Sequence, residues 1–207
     1  MKGKFITFEG PEGVGKSYQL RMLQKELEET GLDFVITREP GGTPVSEKIR
    51  QIILDKDNST MTDECEALLY AAARAQHIDE KIKPALQQGK IVVCDRYIDS
   101  SFAYQSVARG LGFEYVESVN SKAMTECMPD LTLFLNLTPE EAFKRKGGIQ
   151  QDDRMELNGL EFHNKVYNGY LETAKRYPDR IVLVDCSGTK EQTHSKIMNV
   201  LRQKGIL

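Results

Sequence analysis

The sequence lacks the features that mark membrane, secreted and DNA-wrapping proteins. No apolar run approaches the ~20 residues of a transmembrane helix, and the N-terminal MKGKFITFEG lacks the apolar core and cleavage site of a signal peptide. The formal net charge is -3, without the basic excess expected of a protein that wraps nucleic acid. We therefore expect a cytoplasmic protein that binds neither membranes nor nucleic acid, and in which any polyanion site is local.

Cysteine is also sparse, and its pattern excludes the usual disulfide or zinc spacings. The four cysteines are Cys65, Cys94, Cys127 and Cys186, without a C-x-x-C pair. Two of them adjoin apolar, strand-like runs, which favours reduced core thiols. The histidines His77, His163 and His194 do not share metal-ligand spacing with one another, so we expect no metal site built on them.

What the sequence does contain is an alternation of short apolar runs with longer segments of helical period. This alternation predicts a parallel sheet with helices on both faces, in a single α/β domain spanning residues 1–207. The predicted strands are Phe5–Phe8, Phe34–Thr37, Ile91–Cys94, Leu131–Leu135 and Ile181–Val184. The predicted helices are Lys16–Thr30, Val45–Leu54, Asp63–Gln87, Glu114–Met128, Pro139–Lys146, Gly159–Tyr177 and Lys190–Lys204. The polar stretch KGGIQQDD, which starts at Lys146, predicts a mobile loop.

The most specific motif lies between the first predicted strand and the first predicted helix. It is Gly10-Pro11-Glu12-Gly13-Val14-Gly15-Lys16-Ser17, which fits G-x-x-x-x-G-K-[ST]. The glycines let backbone N–H groups surround a β-phosphate, and the helix N-terminus adds partial positive charge. Lys16 is expected to bridge the β- and γ-phosphates of ATP, and Ser17 to ligate Mg²⁺. The motif alone indicates only nucleotide binding, since switches, motors and kinases share it.

Charged residues follow the second and third predicted strands, whose carboxyl ends face the crevice of a doubly wound sheet. The second strand leads into Arg38-Glu39-Pro40-Gly41-Gly42, and the third into Asp95-Arg96-Tyr97. Arg96 can bind a phosphate with two N–H groups. Asp95 can hold the water shell of Mg²⁺, or it can anchor Arg96 or Lys16, and the residues leave both alternatives open.

Two predicted helical segments combine aromatic and polar side chains at a spacing that places them on one face. Tyr70 and Arg74 are separated by three alanines, and a flat base could stack against this face. Ser101 and Gln105 have the same i, i+4 spacing, and the amide can both donate to and accept from a pyrimidine edge. Each segment on its own is more typical of a packed core helix with a cap.

The motifs FEGPEGVGKS, TREPGG, YAAAR and DRYIDSSFAYQ, in this order, resemble those of bacterial thymidylate kinases along nearly the whole chain. PDLTLFLNLTPEEA and VDCS are similar to the regions of that family's fourth and fifth strands. The resemblance implies a P-loop kinase fold with a five-stranded parallel sheet, a short lid at about 143–156, a homodimer and a requirement for Mg²⁺. It also implies phosphorylation of dTMP to dTDP by Mg-ATP, a step in dTTP synthesis for DNA replication.

Carried over by position, the resemblance assigns the acceptor site. Tyr70 would stack on thymine, and Arg74 and Gln105 would contact the polar edge of the ring. The acceptor phosphate would be bound, or its surroundings ordered, by Arg38, Arg50 and Arg96. Glu12 would contact the sugar or its bound water. Tyr104 would crowd a ribose 2′-OH. Glu39 and Ser101 are further contacts to sugar, magnesium water and base.

The lid departs from the arginine-rich pattern of the family. Its basic residues are Lys144, Arg145, Lys146 and Arg154, whereas Gln150 stands where a catalytic arginine is expected. We take Arg154 as the arginine that closes over the phosphates. Arg145 is the other candidate, or it stacks on adenine, and Lys146 is a third.

Two other functions fit a P-loop. A deoxynucleoside kinase would need a carboxylate that activates a sugar hydroxyl. This sequence instead offers several arginines, which favour an acceptor that already bears a phosphate. They are Arg38, Arg50, Arg74 and Arg96. A P-loop switch would hydrolyse ATP without an acceptor.

Overall fold

The computed structural model describes residues 3–147 and 153–207. Within these ranges, five strands form one parallel sheet in the order β2-β3-β1-β4-β5. The strands are β1 (Lys4–Glu9), β2 (Phe34–Arg38), β3 (Ile91–Asp95), β4 (Leu131–Asn136) and β5 (Ile181–Asp185). The predicted α/β fold with a five-stranded parallel sheet is confirmed. The middle of the predicted lid, including Gln150, lies outside the described residues.

Each strand continues one residue beyond its last predicted apolar position, and the added residue is polar. The additions are Glu9, Arg38, Asp95, Asn136 and Asp185. Arg38 is in register with Asp95, and Asn136 with Asp185. The ladder is made by backbone N–H and C=O groups, so it does not require an apolar side chain. These polar residues therefore start the carboxyl edge of the sheet, where the site is built.

The helices follow the predicted order but not all of the predicted bounds. They are α1 (Lys16–Thr30), α2 (Pro44–Leu54), α3 (Asp63–His77), α4 (Lys83–Gln87), α5 (Ile98–Ser101), α6 (Phe113–Val119), α7 (Ser121–Glu126), α8 (Pro139–Lys146), α9 (Gly159–Arg176) and α10 (Lys190–Gln203). Short 3₁₀ turns lie at Lys56–Asn58 and Glu156–Asn158. None of the described helices combines the length and apolarity needed to cross a membrane.

Two predicted helices are interrupted. The segment predicted as one helix over Asp63–Gln87 contains a π-helical turn at Ile78–Ile82. This turn lies two residues before Pro84, which has no N–H to donate to a helical hydrogen bond. The segment predicted over Glu114–Met128 breaks at Asn120, whose side-chain Nδ2 donates to Val116 O at 2.8 Å. A second π-helical segment, Phe102–Ala108, follows α5.

The core lies on both faces of the sheet. Ile6 and Phe8 of β1 pack on the side of α1 and α10, and Phe5 packs on the opposite side. Gly169 of α9 lies so close to the Phe102–Ala108 segment that a Cβ there would meet Ala103 Cα at 2.8 Å. Of the four cysteines, Cys65 alone is exposed, so the expectation of a core thiol is wrong for that residue.

The strand order divides the carboxyl edge of the sheet. Because β1 is the central strand, the segments after β2 and β3 lie on one side of the β1–α1 loop. The ends of β4 and β5 lie on the other side, although the chain between these two strands returns through α9 to pack against the Phe102–Ala108 segment. The predicted acceptor residues and the predicted adenine contact therefore fall on opposite sides of one loop.

Candidate active site

The β1–α1 loop is a closely packed turn around the Lys16 side chain. Gly10 has φ 144°, and a Cβ there would meet Leu135 O of the adjacent strand at 2.8 Å, so only glycine fits. Lys16 Nζ donates to Gly10 O at 2.9 Å and to Pro11 O at 3.1 Å. Burial, reinforced by the nearby Arg96 guanidinium, lowers the pKa of Lys16 to about 8. The loop is thus a cradle for phosphate oxygens with a buried ammonium inside it.

A cavity of about 420 Å³ opens from this loop toward the segments after β2 and β3. The predicted site residues that line it are Glu12, Gly13, Gly15, Lys16, Ser17, Arg38, Glu39, Arg50, Tyr70, Arg74, Asp95, Arg96, Ser101, Tyr104 and Gln105. Gly10, Pro11 and Val14 belong to the loop but do not line the cavity. One cavity therefore joins a phosphate cradle to a pocket of arginines, aromatic rings and an amide.

Arg96 lies at the junction of the two parts. Its backbone has φ 65°, a left-handed conformation that non-glycine residues rarely adopt. Its Nη2 donates to Glu12 Oε1 at 2.9 Å, and its Nη1 donates to Tyr170 Oη at 2.8 Å and to Ser100 Oγ at 3.3 Å. The loop and the β3 end are therefore joined through this guanidinium.

Asp95 precedes Arg96 at the end of β3. Its Oδ1 is buried and has no hydrogen-bond partner among the described residues. Within the same part of the chain it forms no ion pair with Arg96 or Lys16, so the structure does not show the anchoring role that the sequence left open. The residue also lines the cavity beside the phosphate cradle.

Arg74 is 2% exposed, and its guanidinium is held on several sides. Its Nε donates to Glu39 Oε2 at 2.7 Å, and its Nη2 donates to Tyr97 O at 3.1 Å. Its Nη1 donates to Ser101 Oγ at 3.0 Å and to Asn120 Oδ1 at 2.6 Å. These bonds use four of the five N–H groups of an arginine, so one remains outside these four bonds.

Glu39 connects Arg74 to a buried histidine. Its Oε1 lies 3.0 Å from His77 Nδ1, and His77 Nε2 lies 2.8 Å from Thr37 Oγ1. Both carboxylate oxygens of Glu39 are therefore engaged within the protein. This arrangement makes Glu39 a support for Arg74 at least as much as the sugar contact that the sequence suggested.

The base end of the cavity is formed by Tyr70 and Gln105. Tyr70 is half-buried, and burial, reinforced by Glu66, raises the pKa of its hydroxyl well above the usual value. Gln105 is 1% exposed, and its Nε2 donates to Glu66 Oε1 at 2.9 Å. Ser101 and Gln105 both line the cavity, as their spacing predicted. The Phe102–Ala108 segment that presents Gln105 is π-helical rather than α-helical.

Arg38 and Arg50 lie at the more open rim. Arg38 Nη2 donates to Glu47 Oε2 at 2.8 Å with half of its side chain exposed, and Arg50 Nη1 donates to Pro40 O at 3.0 Å.

Tyr104 packs more deeply. Its ring lies beneath the Arg96 guanidinium at 5.5 Å, and burial raises the pKa of its hydroxyl to about 12.

The structure does not bring Arg154 to the phosphate cradle. Its Nε donates to Ile53 O at 2.7 Å, and its Nη2 binds Glu66 Oε2. The side chain is 8% exposed and does not line the cavity. In this structure Glu66 and a backbone carbonyl hold the guanidinium away from the phosphate cradle, and the closure of Arg154 over the phosphates stays a prediction.

Arg145 lies at the other side of the loop. Its Nη1 donates to Cys186 O at 2.7 Å and its Nη2 to Ser187 O at 2.8 Å, in the segment that follows β5. It does not line the acceptor cavity. The side chain of Lys146, the third candidate, lies outside the described part of the chain.

Sequence reasoning missed two buried carboxylates. Glu9 accepts from Tyr97 N at 2.7 Å, from Ser100 Oγ at 2.6 Å and from Tyr170 Oη at 2.9 Å. Burial, and secondarily the charge of Asp99, raises the pKa of Glu9 to about 7. Its position as the polar end of an apolar strand, directly before the loop, was an available signal. No such signal exists in the sequence for Glu66, because it is one of several acidic residues at the start of α3.

A parallel sheet whose central strand ends in this phosphate cradle, beside a pocket rich in arginine, defines the class of P-loop nucleotide-binding proteins. The family model described as thymidylate kinase matches residues 8–197. The chain belongs to the thymidylate kinase family.

Several named relatives cover almost the full chain. A thymidylate kinase of Bacillus velezensis is 46% identical over 205 residues, which is 98% of this chain and 97% of the relative. A thymidylate kinase of Clostridium novyi is 44% identical over 203 residues, or 97% and 99% of the two chains. The crystal structure of thymidylate kinase from Ehrlichia chaffeensis superposes with a TM-score of 0.80 at 29% identity, covering 97% of this chain and 100% of that chain.

Proposed function

We propose that this protein transfers the γ-phosphoryl group of Mg-ATP to dTMP and releases dTDP and ADP. The observation that supports it most directly is the single cavity that joins the phosphate cradle to Arg96 and to the pocket of Tyr70, Arg74 and Gln105. A nucleotide-binding switch would not need the second part of this cavity. The name of the relatives, thymidylate kinase, agrees with this acceptor.

The thymine base would lie against Tyr70, with its polar edge toward Arg74 and Gln105. The one remaining N–H of Arg74 suits the O4 carbonyl of thymine, and the Gln105 amide suits the N3–H. Ser101 supports Arg74 through their hydrogen bond of 3.0 Å. A wrong base that leaves buried hydrogen-bonding groups unpaired loses more binding free energy than a base that only lacks the methyl group. We therefore expect dTMP to exceed dUMP modestly and dCMP strongly.

The acceptor phosphate would lie between Arg96 and the rim arginines Arg38 and Arg50. All three line the cavity, and Arg96 also reaches the phosphate cradle through Glu12. Glu12 and Glu39 would border the sugar, and the Tyr104 ring, packed under Arg96, would leave no room for a ribose 2′-OH. This arrangement requires an acceptor that already bears a phosphate.

The residues at the cradle fit Mg²⁺. Ser17 lines the cavity with its hydroxyl at the start of α1, and Asp95 offers a buried oxygen without a partner among the described residues. Ser17 would ligate the ion directly and Asp95 through its water shell. Bound with ATP, Mg²⁺ would neutralise charge on the β- and γ-phosphates. Among the described residues no cluster of three His, Cys, Asp or Glu side chains could hold a metal without the nucleotide.

The transfer itself needs alignment and positive charge more than a strong base. An oxygen of the dTMP phosphate forms a bond to the γ-phosphorus as the bond to the β–γ bridging oxygen breaks. Lys16 would hold the β- and γ-phosphate oxygens, exchanging its bonds to Gly10 O and Pro11 O for them. Arg96, fixed by Glu12 and Tyr170, would bind the acceptor phosphate in line with the γ-phosphate.

Arg145 would contact the adenine of ATP. It lies on the β4–β5 side of the loop, against the segment after β5, opposite the acceptor pocket. We further propose that the protein acts as a homodimer in the cytoplasm, as the family resemblance implies.

A coupled assay for ADP with a panel of nucleoside monophosphates, plus thymidine, tests this function. We expect turnover with dTMP, weaker turnover with dUMP, and little with dCMP or thymidine. A preference for AMP or GMP, or turnover of thymidine above dTMP, would contradict the proposal. Omission of Mg²⁺ should abolish ADP release.

A further inference from the structure

Glu66 is a fully buried carboxylate that contacts the base end of the cavity without lining it. Its Oε1 accepts from Gln105 Nε2 at 2.9 Å and from Arg109 Nε at 3.3 Å. Its Oε2 accepts from Arg109 Nη2 at 3.1 Å and also binds Arg154 Nη2. A carboxylate has about four lone-pair sites. All of them are used.

These contacts fix which end of the Gln105 amide faces the cavity. An amide donates through its nitrogen and accepts through its oxygen, and its two ends are nearly equal in shape. A carboxylate facing two guanidinium groups offers only lone pairs, so Gln105 must turn Nε2 toward Glu66. Oε1 is then left for the cavity, and no described residue donates to it.

We infer that Glu66 is a positioning residue for acceptor choice. By holding Gln105 with its carbonyl oxygen toward the base, Glu66 makes the site select a pyrimidine that has a hydrogen on N3. Thymine and uracil have this hydrogen, whereas cytosine has a lone pair at N3 that would face the lone pairs of Oε1. The inference rests on the proposed function, in which Gln105 contacts the base.

Gln105 alone would not discriminate in this way. An amide that is free to rotate by 180° could donate to cytosine as readily as it accepts from thymine. Glu66 is itself immobilised, because Arg154 is fixed to Ile53 O and the Arg109 guanidinium lies 4.5 Å from the Phe162 ring centre. The selectivity therefore resides in the Glu66–Gln105 pair.

The test is the ratio of kcat/KM for dTMP to kcat/KM for dCMP in the variant Glu66→Gln. A glutamine at position 66 can donate as well as accept, so Gln105 can present either end to the base. We expect the ratio to fall by about tenfold or more, chiefly through a gain with dCMP. Glu64→Gln is the matched control, since Glu64 is exposed on the same helix and loses the same charge. Its ratio should equal that of the wild type.

A second variant separates this inference from the proposed function. Gln105→Leu removes the amide, so the ratio should collapse whether or not Glu66 acts as inferred. If Gln105→Leu lowers the ratio and Glu66→Gln leaves it unchanged, the role of Glu66 is overturned and the base contact stands. If Gln105→Leu leaves the ratio unchanged, the proposed base contact fails, and the role of Glu66 fails with it.

In Glu66→Gln the guanidinium of Arg154 stays buried but loses its carboxylate partner, and this unpaired charge can prevent folding. In that case the double variant E66Q/R154M removes the buried charge, and R154M alone is its reference. The ratio does not depend on the fraction of folded enzyme, because both substrates sample the same molecules. A ratio in E66Q/R154M about tenfold below that of R154M supports the inference, and an equal ratio overturns it.

Discussion

Arg96 donates to the carboxylate of Glu12 at 2.9 Å, and this bond joins the end of β3 to the phosphate loop after β1. The pair is partly buried, with 15% of the Arg96 side chain and 34% of the Glu12 side chain exposed. The arginine proposed to bind the acceptor phosphate is thus positioned by the loop that binds the donor. In the proposed complex, this single guanidinium would align donor and acceptor.

Replacement of Arg96 by lysine should separate charge from geometry. Lysine keeps the positive charge, but its single ammonium lacks the planar fork whose separate nitrogens bond Glu12 and Tyr170. We expect kcat/KM for dTMP to fall about 100-fold or more, measured by coupled ADP release. The control is Arg202→Lys on the exposed face of α10, which should match the wild type. A loss of less than threefold in Arg96→Lys would contradict the proposed role.

Lys16 should take up a proton when ATP binds in mildly alkaline solution. Burial lowers the pKa of Lys16 to about 8 in the free protein, so its amine is largely neutral above that pH, whereas phosphate oxygens favour the ammonium form. Titration calorimetry at pH 8.5 in buffers of different ionisation enthalpy should show uptake of about 0.7 proton per ATP. Uptake should be small at pH 7 and absent in Lys16→Met. Equal uptake in Lys16→Met would assign the proton to another group.

Glu9 should make the protein less stable as the pH rises from about 5 to about 8. Burial raises the pKa of Glu9 from 4.5 to about 7, so the folded state binds a proton that the unfolded state has lost. The stabilisation is present below pH 4.5 and is lost as the pH rises through 7. Relative to Glu9→Gln, the wild type should lose up to about 3 kcal/mol of unfolding free energy over this range.

Urea unfolding at the two pH values measures this difference. Glu29→Gln, at the exposed end of α1, is the control and should show the pH dependence of the wild type. If Glu9→Gln also follows the wild type, then Glu9 does not titrate in this range.

Two ion pairs of similar length should differ greatly in their contribution to stability. Arg180 binds Asp99 through two bonds of 2.7 Å, and the Asp99 side chain is 1% exposed. Lys196 binds Asp185 at 2.6 Å, but that carboxylate is 60% exposed. Asp99→Ala leaves Arg180 without its carboxylate and should cost about 3–5 kcal/mol. Asp185→Ala should cost far less, because solvent screens an ion pair between two exposed side chains. Urea unfolding checks both, and equal losses would contradict the role of burial.

The two candidate lid arginines should affect different substrates. Arg145→Ala should raise KM for ATP and leave KM for dTMP nearly unchanged, because Arg145 lies against the segment after β5. Arg154→Ala releases Glu66 and should raise KM for dTMP by about tenfold. A fall in kcat of about 10³ in Arg154→Ala, with both KM values unchanged, would instead return Arg154 to the transferring phosphoryl group.

The elements of the fold and site that could be predicted from the sequence are those whose structure depends on residues adjacent in the chain. The strands, α1 and the phosphate loop were predicted because periodicity and the Gly10–Ser17 motif are local. The polar last residues of the strands were missed because the strands were predicted from apolar side chains, whereas strand length is set by backbone pairing. Arg74 and Gln105 were assigned to the pocket by spacing and resemblance, and the structure places both in its lining.

The supports of these side chains could not be predicted. Arg74 is held by Glu39 and Asn120, which are 35 and 46 residues away in the chain, and Gln105 is held by Glu66, 39 residues away. Such pairs form only when the helices pack, so no spacing in the sequence marks them. The contact of Arg154 with Glu66 could not be predicted for the same reason, since the two residues are 88 positions apart in the chain.

The position of β1 at the centre of the sheet has a consequence for how this enzyme can change. The segments proposed to choose the acceptor follow β2 and β3, and those proposed to bind adenine follow β4 and β5. At the carboxyl edge of the sheet the phosphate loop lies between these two sets of strand ends, and its contacts do not depend on the identity of either base. A lineage, or a directed-evolution experiment, can therefore alter the nucleotide that is phosphorylated while keeping the one that supplies the phosphate.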